Sequence, residues 1–138
     1  LLNDMKRAFF FFFIISSLAG CVNYDINEIL LHREEISLTS KGVDQLTYDP
    51  LTCQMSYNES RNEFKVFKDN LSDWFVVTCD DRPVEQGQIL VASISWTAET
   101  NTHTIPDLEF EVMKTADDGK IWMWCESAKI GVVVQILP

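Results

Sequence analysis

Between residues 89 and 97 the chain alternates. Leu90, Ala92, Ile94 and Trp96 fall on one side, while Ser93, Ser95 and Thr97 fall on the other. A period of two is that of a strand half-buried against a core. Leu108, Phe110 and Val112 repeat the pattern against Glu109 and Glu111. Asp117-Asp118-Gly119 is a hairpin turn signal leading into Ile121–Cys125. Glu126–Lys129 turns again, and Ile130–Leu137 follows as the last strand. The first half reads the same way, less cleanly. Strand signals cover Glu28–Leu38, with Ile29-Leu30-Leu31 and Ile36-Ser37-Leu38 as its apolar runs, then Val43–Tyr48, Thr52–Tyr57, Phe64–Phe67 and Trp74–Cys79. Asp49-Pro50, Asn58-Glu59-Ser60 and Asp80–Pro83 break them.

No segment beyond residue 27 sustains a 3.6-residue apolar period. The pattern therefore predicts an all-β domain of about eight or nine antiparallel strands with short loops. A single β-sandwich is the expected architecture, with a small β-barrel as the alternative. "ISLTSKGVDQLTYDP", Ile36 to Pro50, resembles the immunoglobulin-like domains of bacterial surface proteins: a strand, a glycine turn, and a strand ending in proline. "SDWFVVTCD", Ser72 to Asp80, matches a further strand after a Ser-Asp turn. The resemblance implies an immunoglobulin-like sandwich, and small surface lipoproteins are the nearest overall likeness.

The amino end is different. Lys6-Arg7 precede an unbroken apolar run from Ala8 to Ile15, then Ser16-Ser17. Positive, apolar, then small is the order of a secretory signal peptide. The run is too short to cross a bilayer, which takes roughly 20 apolar residues. Leu18-Ala19-Gly20-Cys21 resembles the lipobox of bacterial lipoproteins. That resemblance implies that Cys21 is acylated on sulfur, that cleavage falls before it, and that its new amine is acylated in turn. Each buried CH₂ contributes about 0.8 kcal/mol, so several chains anchor stably where one does not. Residues 1–20 are thus read as signal peptide, with Leu1–Asp4 ahead of the initiator expected at Met5. Residues 21–27 are read as a lipidated tether and 28–138 as one β domain. No aspartate follows Cys21 directly, and by the sorting rule of the family this implies the outer membrane.

Cleavage before Cys21 leaves 118 of the 138 residues, one domain's worth of chain. Losing Asp4, Lys6 and Arg7 leaves 20 acids and 9 bases, a net charge of −11. Without a Lys/Arg cluster, nucleic acid is not the expected partner. The same acidity repels anionic head groups, so the membrane is expected to touch the protein only through the acyl chains on Cys21 and the tether. With Cys21 used, Cys53, Cys79 and Cys125 remain. Three thiols allow one disulfide at most, or serve as small buried hydrophobes. If Cys53, Phe64–Phe67 and Cys79 lie on a simple meander, the first and last stand too far apart to bond.

Catalytic chemistry is sparse. His32, expected on an early strand, and His103, expected in the polar loop Thr100–Thr104, lack a neighbouring nucleophile in any recognised arrangement. Asp80-Asp81 and Asp117-Asp118 fall in predicted turns, where aspartate bonds local backbone. Zinc spacing and the calcium-loop pattern are both missing, and no metal or cofactor other than covalent lipid is expected. Aromatic residues are the better lead. Trp122 and Trp124 share one face of their strand, and Ile121, Met123 and Cys125 share the other. If the second set is core, the two indoles either form a binding face for a sugar ring or a peptide, or lie beneath a covering loop. Otherwise they are core themselves. Trp96 is expected in the core, while Trp74 has no assigned side. The expectation is a non-enzymatic, lipid-anchored envelope protein binding a glycan, a peptide or another envelope protein. The alternative is a periplasmic inhibitor of a basic enzyme such as lysozyme.

Overall fold

A computed structural model describes residues 24–68, 73–98 and 100–137. Strands form where alternation and turn chemistry place them: β1 (Ile36–Ser40), β2 (Val43–Tyr48), β3 (Gln54–Asn58), β4 (Glu63–Phe67), β5 (Trp74–Cys79), β6 (Ile89–Ala98), β7 (Asn101–Thr115), β8 (Lys120–Cys125) and β9 (Ile130–Gln135). Among the described residues all nine join one antiparallel sheet in the order β2-β1-β9-β8-β7-β6-β5-β4-β3. The sheet curls into a half-barrel, an all-β arrangement consistent with a sandwich or a barrel-like fold. From β3 to β9 the chain is a meander, and the β1–β2 hairpin adds to the far side of β9. That hairpin is the Ile36–Pro50 pattern: Ser40 pairs with Val43, and Lys41 and Gly42 both take positive φ, as a two-residue turn of this hand requires.

Curling brings distant strands together. Tyr48 of β2 stacks on Phe75 of β5, ring centroids 6.2 Å apart, and its hydroxyl donates to the Asp73 carbonyl at 2.7 Å. One core lines the inner face, with Ile36, Leu38, Phe64, Val66, Phe75, Val77, Leu90, Ile94, Phe110, Met123 and Val132 among its members. Register shifts in the β6–β7 and β7–β8 pairs mark bulges, which bend a strand and increase its twist. Pro106 lies at the first of these. The sequence placed the strand only from Leu108, but β7 starts at Asn101 and runs through the proline. A bulge tolerates the missing donor: Asp107 turns to φ +57° and its N–H donates to Ser93 Oγ at 3.3 Å.

Three strands are buried on both faces. Every residue of β8 and β9 is buried, as are Ile36–Thr39 of β1. Their outer side is covered by residues 24–33, a strap containing a π-helical turn, Asn27–Leu31. Ile29-Leu30-Leu31 is therefore not a strand, because a strap crossing a sheet needs one residue aimed down rather than alternate ones. That residue is Leu30, fully buried with Trp122, Trp124 and Val133 in a second cluster, against which Tyr24, Ile26 and Met113 pack. Gly131 makes room for it: a Cβ there would stand 3.0 Å from Leu30 Cδ1, 3.0 Å from Thr39 Oγ1 and 3.2 Å from Trp124 Cε3. Within the stretch read as tether, Tyr24 and Ile26 pack against this cluster, while Asp25 and Asn27 are exposed.

Leu30→Ala is expected to cost about 2–5 kcal/mol, the range for emptying a leucine site. Gly131→Val, which overpacks the same site, is expected to cost about 1–3 kcal/mol. Urea unfolding measures both, and the native tryptophan emission should shift to the red as water reaches Trp122 and Trp124. A stability loss with unchanged emission would mean that Leu30 does not seal these indoles.

Candidate functional site

The lipobox, Leu18 to Cys21, lies outside the described residues. Trp122 and Trp124 do not. With Ile121, Met123 and Cys125 in the inner core, the two indoles point to the outer face of β8. There they are 2% and 4% exposed, because the strap covers them. Trp122 Nε1 donates to the Arg33 carbonyl at 3.0 Å. The Lys114 ammonium sits 4.4 Å from the Trp122 ring centroid and donates to the Leu31 carbonyl at 3.1 Å. A cation on the last carbonyls of a helical turn is favourable. Trp124 Nε1 donates to Glu126 at 2.9 Å. Lys129 first, and then this indole N–H, hold the Glu126 carboxyl below its usual range. Both ring nitrogens are thus committed within the fold, and of the alternatives read from the sequence the covering segment is the one present, so Trp122 and Trp124 form no open binding face: these rings hold the strap.

The exposed aromatic surface lies elsewhere. Phe75, Val77 and Cys79 of β5 point inward, so Trp74, Val76 and Thr78 point outward. Trp74 is half-buried and pairs across the sheet with Phe67 on one side and Thr97 on the other. Lys65, Phe67, Trp74 and Val76 line an open shelf of about 340 Å³. Beside it runs a row of hydroxyls: Thr97 and Thr102 are 2.8 Å apart, and Ser95 and Thr104 3.0 Å apart. Alternation could not place Trp74, since Trp74-Phe75-Val76-Val77 is apolar at every position. Only the inner core assigns its side.

A second surface lies across β6 and β7. Ile89 and Val91, 55% and 41% exposed, pair with Glu111 and Glu109. These glutamates, with Ile26, Ile89, Met113 and Trp124, line a groove of about 500 Å³.

The remaining candidates resolve into structural roles. Trp96 is inward and 4% exposed, as expected. His103 is on strand β7 rather than in a loop and stacks on Trp96 with centroids 4.7 Å apart. His32 follows the π-helical turn rather than sitting in a strand, and lines an open groove with Glu34, Glu35 and Asp49. Among the described residues no group of three or more His, Cys, Asp or Glu could hold a metal. The aspartates bond backbone N–H groups. Asp80 accepts from the Val91 N–H at 3.1 Å, and Asp81 from the Arg82 N–H at 2.8 Å. Asp118 accepts from the N–H and the ammonium of Lys120, both at 3.1 Å, bonds that hold its carboxyl below its usual range.

Cys53, Cys79 and Cys125 are all free thiols. Cys53 leads into β3 and Cys79 ends β5, with β4 between them, so the meander that keeps them apart is present. Burial pushes the Cys79 thiol up to about 12, and burial also raises Cys53.

No helix among the described residues is long and apolar enough to cross a membrane. No family model, curated protein or solved structure matches the chain.

The thiol environments predict an order of reaction. Alkylation requires thiolate, so near an ordinary thiol pKa of about 8.5 the native protein should lose Cys53 first. Cys79, 5% exposed, should react only as the protein unfolds. Peptide mapping after timed iodoacetamide treatment reads this order, and early modification of Cys79 would contradict the packing of β5.

Proposed function

We propose that this chain is an outer-membrane lipoprotein anchored through acyl chains on Cys21, with its β domain acting as a non-enzymatic binding module. The Trp74 shelf is its binding face, and a glycan is the ligand class that fits best. One observation carries this reading. Trp74 and Phe67 offer a half-open aromatic surface directly beside paired hydroxyls. A sugar has the matching two-sided chemistry: a C–H face that packs on an aromatic ring, and hydroxyls that both donate and accept. Binding sites generally combine an apolar surface with a few placed polar groups. The order of Lys6-Arg7, apolar run and lipobox supports the anchored part, and the sequence shows no recognised catalytic motif.

Trp74→Ala and Phe67→Ala should each weaken retention on envelope or host glycans by about tenfold, equivalent to 1.4 kcal/mol. The measurement is glycan-array binding followed by titration, with circular dichroism to confirm folding. Wild-type protein that binds nothing on the array, or folded variants that bind unchanged, would remove the shelf as a glycan site.

The β6–β7 groove favours a second reading, inhibition of a basic enzyme such as lysozyme. Glu109 and Glu111 flank exposed Ile89 and Val91, and among the described residues neither glutamate has an ion-pair partner. Net charge −11 on the mature chain would steer a cationic protein toward this face. Micromolar protein should then slow lysozyme, with inhibition weakened by salt and by Glu109→Gln with Glu111→Gln. Full lysozyme activity under those conditions ends this reading.

A further inference from the structure

Residues 24–33 are fastened to the sheet at Tyr24, Ile26, Leu30 and Arg33, and Tyr24 lies at one end of it. The Tyr24 ring packs against the β1–β2 turn: its Cε1 lies 3.0 Å from where a Cβ on Gly42 would stand. Lys129, in the β8–β9 turn, places its ammonium 5.9 Å from the Tyr24 ring centroid. The Lys41 N–H donates to the Lys129 carbonyl at 2.7 Å and ties the two turns together. From this pole the strap runs along the outer face to Arg33, whose carbonyl is held by Trp122. Only Val22 and Asn23 separate Tyr24 from Cys21. Three Cα–Cα steps of 3.80 Å reach about 11 Å at full extension.

We propose that the pole made of Tyr24, the Lys41-Gly42 turn and the β8–β9 turn stands directly on the phospholipid head-group layer. The proposal rests on the reading that Cys21 is acylated. The domain is then docked on the membrane in one orientation, not suspended from it. The occupant of this surface is lipid, and covalent reach is what selects it. Charge does not: Lys41 and Lys129 lie at the pole, but Glu126 pairs with Lys129, and Asp25 follows Tyr24 directly. The β7–β8 turn, at the other end of β8, is held away by the length of that strand. Five steps at about 3.3 Å place it roughly 17 Å farther along the strand. The strap covering Trp122 and Trp124 gains a second role as the rigid link between anchor and sheet.

The test uses the full chain, expressed with labelled palmitate and reconstituted into phosphatidylethanolamine/phosphatidylglycerol vesicles. Lysines are acetylated with a water-soluble reagent, and rates are read by mass spectrometry. The Cys21→Ser protein, free in solution, is the reference. Lys41 and Lys129 should react several-fold more slowly on vesicles, while Lys65, on β4 and five strands from β9, should be unchanged. A third protein carries about twelve Gly/Ser residues between Asn23 and Tyr24, a coil spanning roughly 20 Å. It should recover the free rates at Lys41 and Lys129 while still floating with the vesicles. Protein that carries palmitate and floats, yet shows equal rates at all three lysines, overturns the docked pole and leaves acylation standing. Protein that neither incorporates palmitate nor floats overturns both.

Discussion

The structure depends on covering one patch of sheet twice. β1, β8 and β9 present apolar side chains to the inner core and, on the other face, Trp122, Trp124 and Val133. A sheet of this width can leave one face to water only where that face is polar. Here it is not, so something must lie over it, and Leu30 on the strap is what does. Fully burying a leucine contributes about 1.5–3 kcal/mol. The bonds from Trp122 and Lys114 satisfy strap carbonyls that would otherwise face apolar surface. Gly131 is part of the same device, because a side chain there would occupy Leu30's space.

From that constraint the distribution of surfaces follows. The strap covers β1, β8 and β9 and touches Met113 and Lys114 of β7, so the outer faces of β3 to β6 and the rest of β7 meet solvent. β6 and β7 accordingly alternate, with Ser93, Ser95, Thr97, Thr102 and Thr104 turned outward. Trp74 and Phe67 are the large aromatics on this side, which is why they, rather than the β8 pair, are proposed as the binding face. The acidic residues divide similarly. Asp81 and Asp118 bond local backbone and Asp80 bonds the Val91 N–H of β6, whereas Glu109 and Glu111 project from a strand beside exposed aliphatic residues.

The strap also links architecture to address. A polar stretch behind an acylated cysteine reads as a leash when only composition is considered. Packed at Tyr24 and Ile26, it belongs to the folded body, and on the proposed acylation of Cys21 only two residues would separate the lipid-bearing cysteine from it. The burial of Trp122 and Trp124 draws on these ten residues, and under the proposed anchoring a change at Leu30 would also loosen the link to the membrane.

The sequence alone determined the strand content. Alternation at Leu90–Trp96 and Leu108–Val112, and the turns at Lys41-Gly42 and Asp117–Gly119, are local: each depends on residues a few positions apart. Inner-core membership of Trp96 was legible for the same reason; alternation separated Ile121, Met123 and Cys125 from Trp122 and Trp124 but did not say which set faces the core. Other features were not. The burial of Trp122 and Trp124 depends on residues about ninety positions away, with no trace in the period of β8. Trp74 sits in an unbroken apolar run, so its side was set only when Phe75 met Tyr48. Pro106 broke the strand pattern, yet β7 passes through it because a bulge against β6 absorbs the missing donor. Ile29–Leu31 had strand-like composition and became a π-helical turn. Short-range chemistry chose the strands; long-range packing chose which faces water can reach, because exposure belongs to pairs of surfaces and no single segment carries it.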